Sequence, residues 1–114
     1  MGQRRWPARG EISVSDFVFA ARVSDVSEGR IFAIQVDEVP IGLTFHNGEL
    51  RAFGDVCTHD GGPLAEGTVM ETCVMCPRHG ACFDLKTGQG TFPAAGPIPI
   101  YETKIEGDEI KIRL

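Results

Sequence analysis

The chain has 114 residues, a net charge of −5 and an apolar content of 42%, which together indicate one globular domain with little room for a second core. The negative charge argues against non-specific nucleic-acid binding, because such binding depends on Lys and Arg neutralising phosphates. The longest purely apolar run, residues 17–21, is far shorter than the roughly 20 residues that a membrane-spanning helix needs. The sequence therefore predicts a cytoplasmic protein that binds neither nucleic acid nor membrane.

The N-terminal end is predicted to lie outside the folded domain. Arg4 and Arg5 are not followed by the apolar stretch that an export signal requires. We therefore expect residues 1–12 to form a flexible arm and residues 13–114 to form a single domain. A short turn is expected around residues 13–17, with Ser15 as its cap.

The pattern of the chain is typical of short β-strands. Residues 17–23 and 30–36 are predicted as the first two strands, and in the second the side chains of Phe32, Ile34 and Val36 share one buried face. No window of a dozen residues shows a convincing helical period. An all-β domain is the expected fold class.

Two hairpins are predicted from turn chemistry. Asn47–Gly48 lies between two apolar segments, and both residue types tolerate the positive φ of a tight hairpin turn. A second hairpin is centred on residues 106–108. In its last strand, Ile110, Ile112 and Leu114 alternate with charged residues, which predicts one buried and one solvated face.

Two spaced Cys and His pairs are the main chemical signal of the sequence. Cys57 and His59 form a Cys-x-His pair, and Cys76 and His79 form a Cys-x-x-His pair after sixteen intervening residues. These four side chains could bind a tetrahedral zinc ion. They could equally bind a 2Fe-2S cluster with two Cys on one iron and two His on the other.

The residues around the two pairs favour the cluster. Bridging sulfides need backbone N–H donors from tight turns, whereas a zinc ion asks for little beyond four ligands. Gly61, Gly62 and Gly80 follow the pairs and permit close backbone approach, while Pro63 and Pro77 stiffen the same segments.

With these segments the chain resembles the Rieske-type iron–sulfur proteins, specifically the small soluble ferredoxins that feed electrons to bacterial ring-hydroxylating oxygenases. The resemblance rests on "CTHDGGPLAEG", "CPRHGACFDLKTG" and "PAAGPIPIY", and it extends from about residue 17 to the C-terminus. It implies the Rieske fold, with three antiparallel sheets and a small cluster-binding subdomain at about residues 55–86.

The resemblance also implies one 2Fe-2S cluster per chain and a ligand set for it. Cys57 and Cys76 would bind the buried iron, and His59 and His79 would bind the outer iron through Nδ1. The segment around residues 93–97 would form a third loop that covers the cluster. Because two thiolates leave the oxidised cluster formally neutral, an incoming electron meets less repulsion than on a cluster with four thiolates.

Departures from the respiratory members of the family predict a low reduction potential. Those members carry a disulfide between the two ligand loops, at the positions of Gly62 and Arg78 here. They also donate Ser and Tyr hydroxyl groups to cluster sulfurs, at the positions of Ala81 and Phe83. Without these donors we expect the low end of the Rieske range, roughly −150 mV. Arg78 either offsets this effect in part or contributes to docking.

Several polar side chains are assigned structural roles. Cys73 and Cys82 are predicted to be buried free thiols. Asp84 is predicted to be a turn residue, and Asp60 a modest charge near the cluster that affects its potential or the approach of a partner. His46 precedes a turn and is expected at the surface of its hairpin.

The sequence does not support catalysis by the chain itself. A Rieske oxygenase needs a mononuclear iron held by two His and a carboxylate, and beyond His59 and His79 only His46 remains. The expected function is a monomeric one-electron carrier, bound transiently by an NAD(P)H-dependent flavin reductase and a terminal oxygenase. The alternatives are a small subunit of a redox enzyme such as an assimilatory nitrite reductase, or a zinc-stabilised interaction domain.

Overall fold

The computed structural model describes residues 17–78 and 80–114. The predictions for the arm at residues 1–12, for the Ser15 cap and for the position of His79 fall outside these residues. Within the described ranges, no helix has the length and apolar character that would let it cross a membrane.

The described part of the chain contains nine β-strands and one 3-10 turn at Val23–Asp25. All pairings between these strands are antiparallel, so the all-β prediction is confirmed. The strands are β1 (Val18–Arg22), β2 (Phe32–Val36), β3 (Val39–His46), β4 (Glu49–Gly54), β5 (Thr68–Met70), β6 (Cys73–Met75), β7 (Cys82–Asp84), β8 (Ile100–Glu106) and β9 (Glu109–Arg113).

The strands form three antiparallel sheets, as the family resemblance implies. Strands β5, β6 and β7 make one sheet, and the other six strands follow the order β1-β9-β8-β4-β3-β2. Strand β8 joins two sheets within this second group. Its first residues, Ile100 and Tyr101, pair with β4, whereas Glu102–Glu106 pairs with β9. The joint is short, so the β1-β9-β8 and β2-β3-β4 sheets are largely separate.

The two predicted hairpins are present. Asn47 and Gly48 have φ values of 53° and 79°, and they connect β3 to β4 as the Asn-Gly signal predicted. In β9, Ile110 and Ile112 are fully buried. The prediction that Leu114 continues this buried face is wrong, because β9 ends at Arg113 and the Leu114 side chain is exposed.

The apolar side chains form two separate clusters. One packs between the sheets that contain β1 to β4, β8 and β9, with Ile41, Leu43 and Ile112 at its centre. The other joins the β5-β6-β7 sheet to β4 and contains both Cys57 and Cys76. Phe53 of β4 belongs to this second cluster, so the β2-β3-β4 sheet packs against the loops that contain Cys57 and Cys76.

The turn between β2 and β3 places two non-glycine residues in the left-handed region. Asp37 and Glu38 have φ values of 52° and 68°. Such values cost an L-residue with a Cβ roughly 1 to 2 kcal/mol relative to right-handed backbone. The sequence pattern did not predict a turn of this type, because Glu is not among the residues that favour its second central position.

Replacing Glu38 with Gly is expected to stabilise the protein, because glycine adopts positive φ without a steric cost. We expect a gain of about 1 kcal/mol and a rise in melting temperature of about 4 °C, measured by circular dichroism. Gln35→Gly, at an exposed position in the extended β2 strand, is the control and should lower the melting temperature. Equal destabilisation by both changes would contradict the left-handed turn.

Candidate metal centre

The first Cys/His pair lies in a tight loop between β4 and β5. The Cys57 side chain is fully buried, and its backbone N–H donates to the carbonyl of Gly62 at 2.8 Å. Its carbonyl accepts from the N–H of Gly61 at 2.7 Å. Gly61 has a φ of 76°, which a residue with a Cβ adopts only at a cost. The loop thus closes on itself and exposes His59 at its tip.

The second pair lies in a loop of the same design between β6 and β7. Cys76 is fully buried, and its N–H donates to the carbonyl of Ala81 at 2.8 Å. The N–H of Gly80 donates to the carbonyl of Cys76 at 3.0 Å, and Gly80 has a φ of 79°. Each loop therefore places glycine four residues after its cysteine. His79 belongs to this loop by sequence but lies outside the described residues.

The two loops bring their cysteines together. Among the described residues, the sulfurs of Cys57 and Cys76 and a carboxylate oxygen of Asp60 all lie within 4.8 Å of one another. Two thiolates on one tetrahedral metal ion are about 3.8 Å apart when each bond is about 2.3 Å. The two thiols are therefore placed to share one metal. The sequence did not predict that Asp60 would lie so close to both sulfurs.

A third segment is bonded to both loop regions. Thr58 Oγ1 donates to the carbonyl of Gly96 at 2.6 Å and accepts from the Gly96 N–H at 3.1 Å. Thr91 Oγ1 accepts from the N–H of Cys82 at 3.0 Å, and the Thr91 N–H donates to the Cys82 carbonyl at 3.0 Å. Between these anchors lies Phe92, whose side chain is 93% exposed.

A buried carboxylate supports the chain just beyond the first loop. Asp55 Oδ1 accepts from the backbone N–H groups of Leu64 and Ala65, both at 2.7 Å. Burial raises the pKa of Asp55, and these two hydrogen bonds oppose the rise. The bonds hold Leu64 in the cluster that contains Cys57. The sequence pattern gave no indication of this role.

Cys73 and Cys82 form a disulfide, so the prediction that they are free thiols is wrong. They lie on neighbouring strands, where Cys82 is opposite Met75 and Cys73 is opposite Asp84. This register puts both side chains on one face of the sheet, with a Cα–Cα distance of 5.7 Å that suits a disulfide. The bond joins the strands that enter and leave the second loop.

Two side chains lie where the sequence predicted them. Asp84 is a turn residue, because its Oδ1 accepts from the backbone N–H groups of Lys86 at 2.7 Å and Thr87 at 3.1 Å. These bonds lower the pKa of Asp84. His46 ends β3, beside Asn47 of the hairpin turn. Neither side chain is part of the candidate centre.

Comparison with known proteins identifies the family. The profile of the Rieske [2Fe-2S] domain matches residues 16–102, and the chain belongs to this family. The 3-phenylpropionate/cinnamic acid dioxygenase ferredoxin subunit of Escherichia coli K12 is 37% identical over 100 residues, which are 85% of this chain and 92% of that protein. Human apoptosis-inducing factor 3 is 35% identical over 104 residues, 89% of this chain, but the match spans only 17% of its length.

Solved structures show the same fold. The Sphingomonas yanoikuyae B1 ferredoxin superposes with a TM-score of 0.80 at 29% identity, covering 86% of this chain and 98% of that chain. A chain in the complex of reduced oxygenase and oxidized ferredoxin of carbazole 1,9a-dioxygenase superposes with a TM-score of 0.76 at 27% identity, covering 83% and 99%. The predicted Rieske fold is confirmed.

As a Rieske domain, the chain holds a 2Fe-2S cluster. The residues present suit this group. Cys57 and Cys76 are both buried and outside the disulfide, and their sulfurs are close enough to bind one iron. The glycines that close both loops keep the backbone near these sulfurs. The family match therefore favours an iron–sulfur cluster over the zinc ion that the two Cys and His pairs alone would also allow.

The disulfide can be tested by counting the cysteines that react with an alkylating reagent. After removal of the cluster and unfolding without reductant, two of the four cysteines should react with an alkylating reagent, and mass spectrometry should locate the label at Cys57 and Cys76. Prior reduction should give four labels. Because the bond restricts the unfolded chain, the Cys73→Ser/Cys82→Ser variant should lose about 3 kcal/mol of stability. Four labels without reduction would contradict the disulfide.

Proposed function

We propose that the chain is a one-electron carrier that takes electrons from an NAD(P)H-dependent flavin reductase and passes them to a terminal oxygenase. One observation carries this proposal: two loops of the same design hold a pair of buried thiols, and His59 lies exposed at the tip of one loop. The match to a dioxygenase ferredoxin subunit over nearly its whole length supports the choice of partners.

The proposed ligands divide between an inner and an outer iron. Cys57 and Cys76 bind the inner iron, which suits their complete burial. His59 and His79 bind the outer iron, which suits the exposure of His59. When bound, the cluster supplies a one-electron couple at a potential set by this mixed ligand set. The exposed histidine edge gives an electron the shortest path to a partner.

The chain is proposed to have no catalytic site of its own. His46 is the one histidine outside the proposed ligand set, and it lies at the β3–β4 hairpin. A mononuclear iron site of two His and one carboxylate therefore lacks its second histidine. In this proposal residues 13–114 form one monomeric domain, and residues 55–86 form its cluster-binding part.

The cytoplasmic location that the sequence predicts fits a donor that depends on NAD(P)H. The Cys73–Cys82 disulfide is a type of bond that is rarer in reducing compartments. Thiol trapping in intact cells, followed by mass spectrometry of this peptide pair, measures whether the bond forms there.

A small subunit of a nitrite reductase remains the alternative, and gene neighbourhood separates the two functions. Genes for oxygenase subunits beside this one would support the carrier. A neighbouring gene for a sirohaem enzyme would support the alternative.

Electron transfer to the oxygenase is the direct test, and Phe92 gives it a structural control. Phe92 is almost fully exposed next to Thr91, which is bonded to Cys82, and exposed aromatic side chains often dominate protein contacts. We expect the reduced chain to reduce the oxygenase of a neighbouring gene in single-turnover experiments, and Phe92→Ala to raise the KM roughly fivefold at unchanged midpoint potential.

The matched control is Phe19→Ala, because Phe19 is 51% exposed but lies on β1, away from the loops. It should leave the KM unchanged. Equal effects of the two substitutions would contradict docking at Phe92. Failure of the wild-type chain to reduce any neighbouring oxygenase would contradict the proposed function.

The midpoint potential is expected near the low end of the Rieske range, roughly −150 mV. Ala81 and Phe83 are fully buried next to the second loop and offer no hydroxyl donor. We expect the Ala81→Ser/Phe83→Tyr variant to raise the potential by on the order of 50 mV per hydroxyl, because a hydrogen bond stabilises the more negative reduced state. Ala52→Ser, in the other apolar cluster, should leave the potential unchanged in spectroelectrochemical titration. A wild-type midpoint potential far above roughly −150 mV would contradict the expectation.

A further inference from the structure

An ion pair connects the two ligand loops. Arg78 lies in the loop of Cys76, and Asp60 lies in the loop of Cys57. The Arg78 Nε donates to Asp60 Oδ2 at 2.5 Å, and its Nη2 donates to Asp60 Oδ1 at 3.2 Å. The two side chains are 30% and 22% exposed. A two-point contact of this kind fixes both the distance and the relative orientation of the groups.

Gly62 leaves the space that this contact needs. A Cβ at Gly62 would lie 2.7 Å from both Cζ and Nη2 of Arg78, so any side chain there would displace the guanidinium group. The N–H of Gly62 also donates to Asp60 Oδ1 at 2.9 Å. The Gly62 N–H therefore orients the Asp60 carboxylate within the first loop. The Arg78 guanidinium group packs against Gly62 and donates to the same carboxylate.

The ion pair lies beside the proposed cluster ligands. A carboxylate oxygen of Asp60 is within 4.8 Å of the sulfurs of both Cys57 and Cys76. The pKa of Arg78 is raised chiefly by its hydrogen bonds to Asp60. The pair therefore spans the gap between the loops at the level of the sulfurs.

We propose that the Arg78–Asp60 ion pair is the crosslink that holds the two ligand loops at the separation the cluster requires. The inference rests on the proposed ligand set. A disulfide is independent of ionic strength, whereas a partly exposed ion pair weakens as salt screens its charges. Retention of the cluster in this chain is therefore sensitive to salt.

Three substitutions break the crosslink in different ways. Arg78→Met removes the cation, and Asp60→Asn removes the negative charge but keeps an oxygen for the Gly62 N–H. Gly62→Ala changes no charge and displaces the guanidinium group. We expect each to speed loss of the cluster to an iron chelator by roughly two- to fivefold, measured by bleaching of the visible absorption under anaerobic conditions.

Arg78→Met also removes a 3.4 Å contact between Arg78 and Glu66 Oε1, whereas Asp60→Asn leaves that contact in place. The double variant Arg78→Met/Asp60→Asn should lose its cluster no faster than Arg78→Met alone, because both changes break the same Arg78–Asp60 pair. High salt should speed the loss from the wild-type protein and have little effect on the variants. Arg78→Lys keeps the charge but not the two-point contact, so its rate should be intermediate.

The midpoint potential separates a crosslink from a simple charge effect. Arg78→Met should lower the potential and Asp60→Asn should raise it, since they remove opposite charges near the cluster. Gly62→Ala should change it little. If the pair is a crosslink, Arg78→Met and Asp60→Asn should both speed cluster loss while they shift the midpoint potential in opposite directions.

The control is Arg22→Met, which breaks another Arg–Asp ion pair, the 2.7 Å contact between Arg22 and Asp108 outside the loops. It should change neither the loss rate nor the potential. Loss rates that are unchanged in the loop variants, that move in opposite directions, or that multiply in the double variant would overturn the crosslink. A wild-type chain that binds no cluster would instead contradict the proposed function.

Discussion

The structure depends on the way each ligand loop closes through the backbone of its own cysteine. In both loops the cysteine N–H and carbonyl are satisfied within the following five residues, so the thiol can be fully buried without leaving polar backbone groups unpaired. Gly61 and Gly80 make the closure possible, because each adopts a positive φ. The closure of the first loop also leaves His59 exposed at its tip.

Apolar packing, a disulfide and a third segment hold these two loops in place. Phe53 and Leu64 pack against the buried cysteines from the first loop's side, and the Cys73–Cys82 disulfide joins the strands that carry the second. The third segment is bonded to both regions. The two larger sheets give this arrangement a rigid base, which is what a carrier needs if its geometry is to change little when an electron arrives.

The sequence predicted those features that depend on neighbouring residues. The Asn47–Gly48 hairpin and the Rieske family could be predicted because turn chemistry and the spacing of the Cys and His pairs are local. The disulfide was missed because it depends on the register between β6 and β7, which no local pattern reveals. The contact between Arg78 and Asp60 was missed for a related reason: it joins two loops whose approach follows only from the folded sheet. The sequence shows which charged residues lie near the Cys and His pairs, but it does not show which of them form ion pairs.

We propose that two cysteines and two histidines of this chain bind one 2Fe-2S cluster. Pulsed EPR of the reduced protein, prepared with isotopically labelled histidine, measures it most directly. We expect a rhombic signal with hyperfine coupling to two histidine nitrogens, and the loss of one coupling in a His59→Cys variant that retains a cluster. A signal without nitrogen coupling, or a colourless protein that contains one zinc ion, would contradict it.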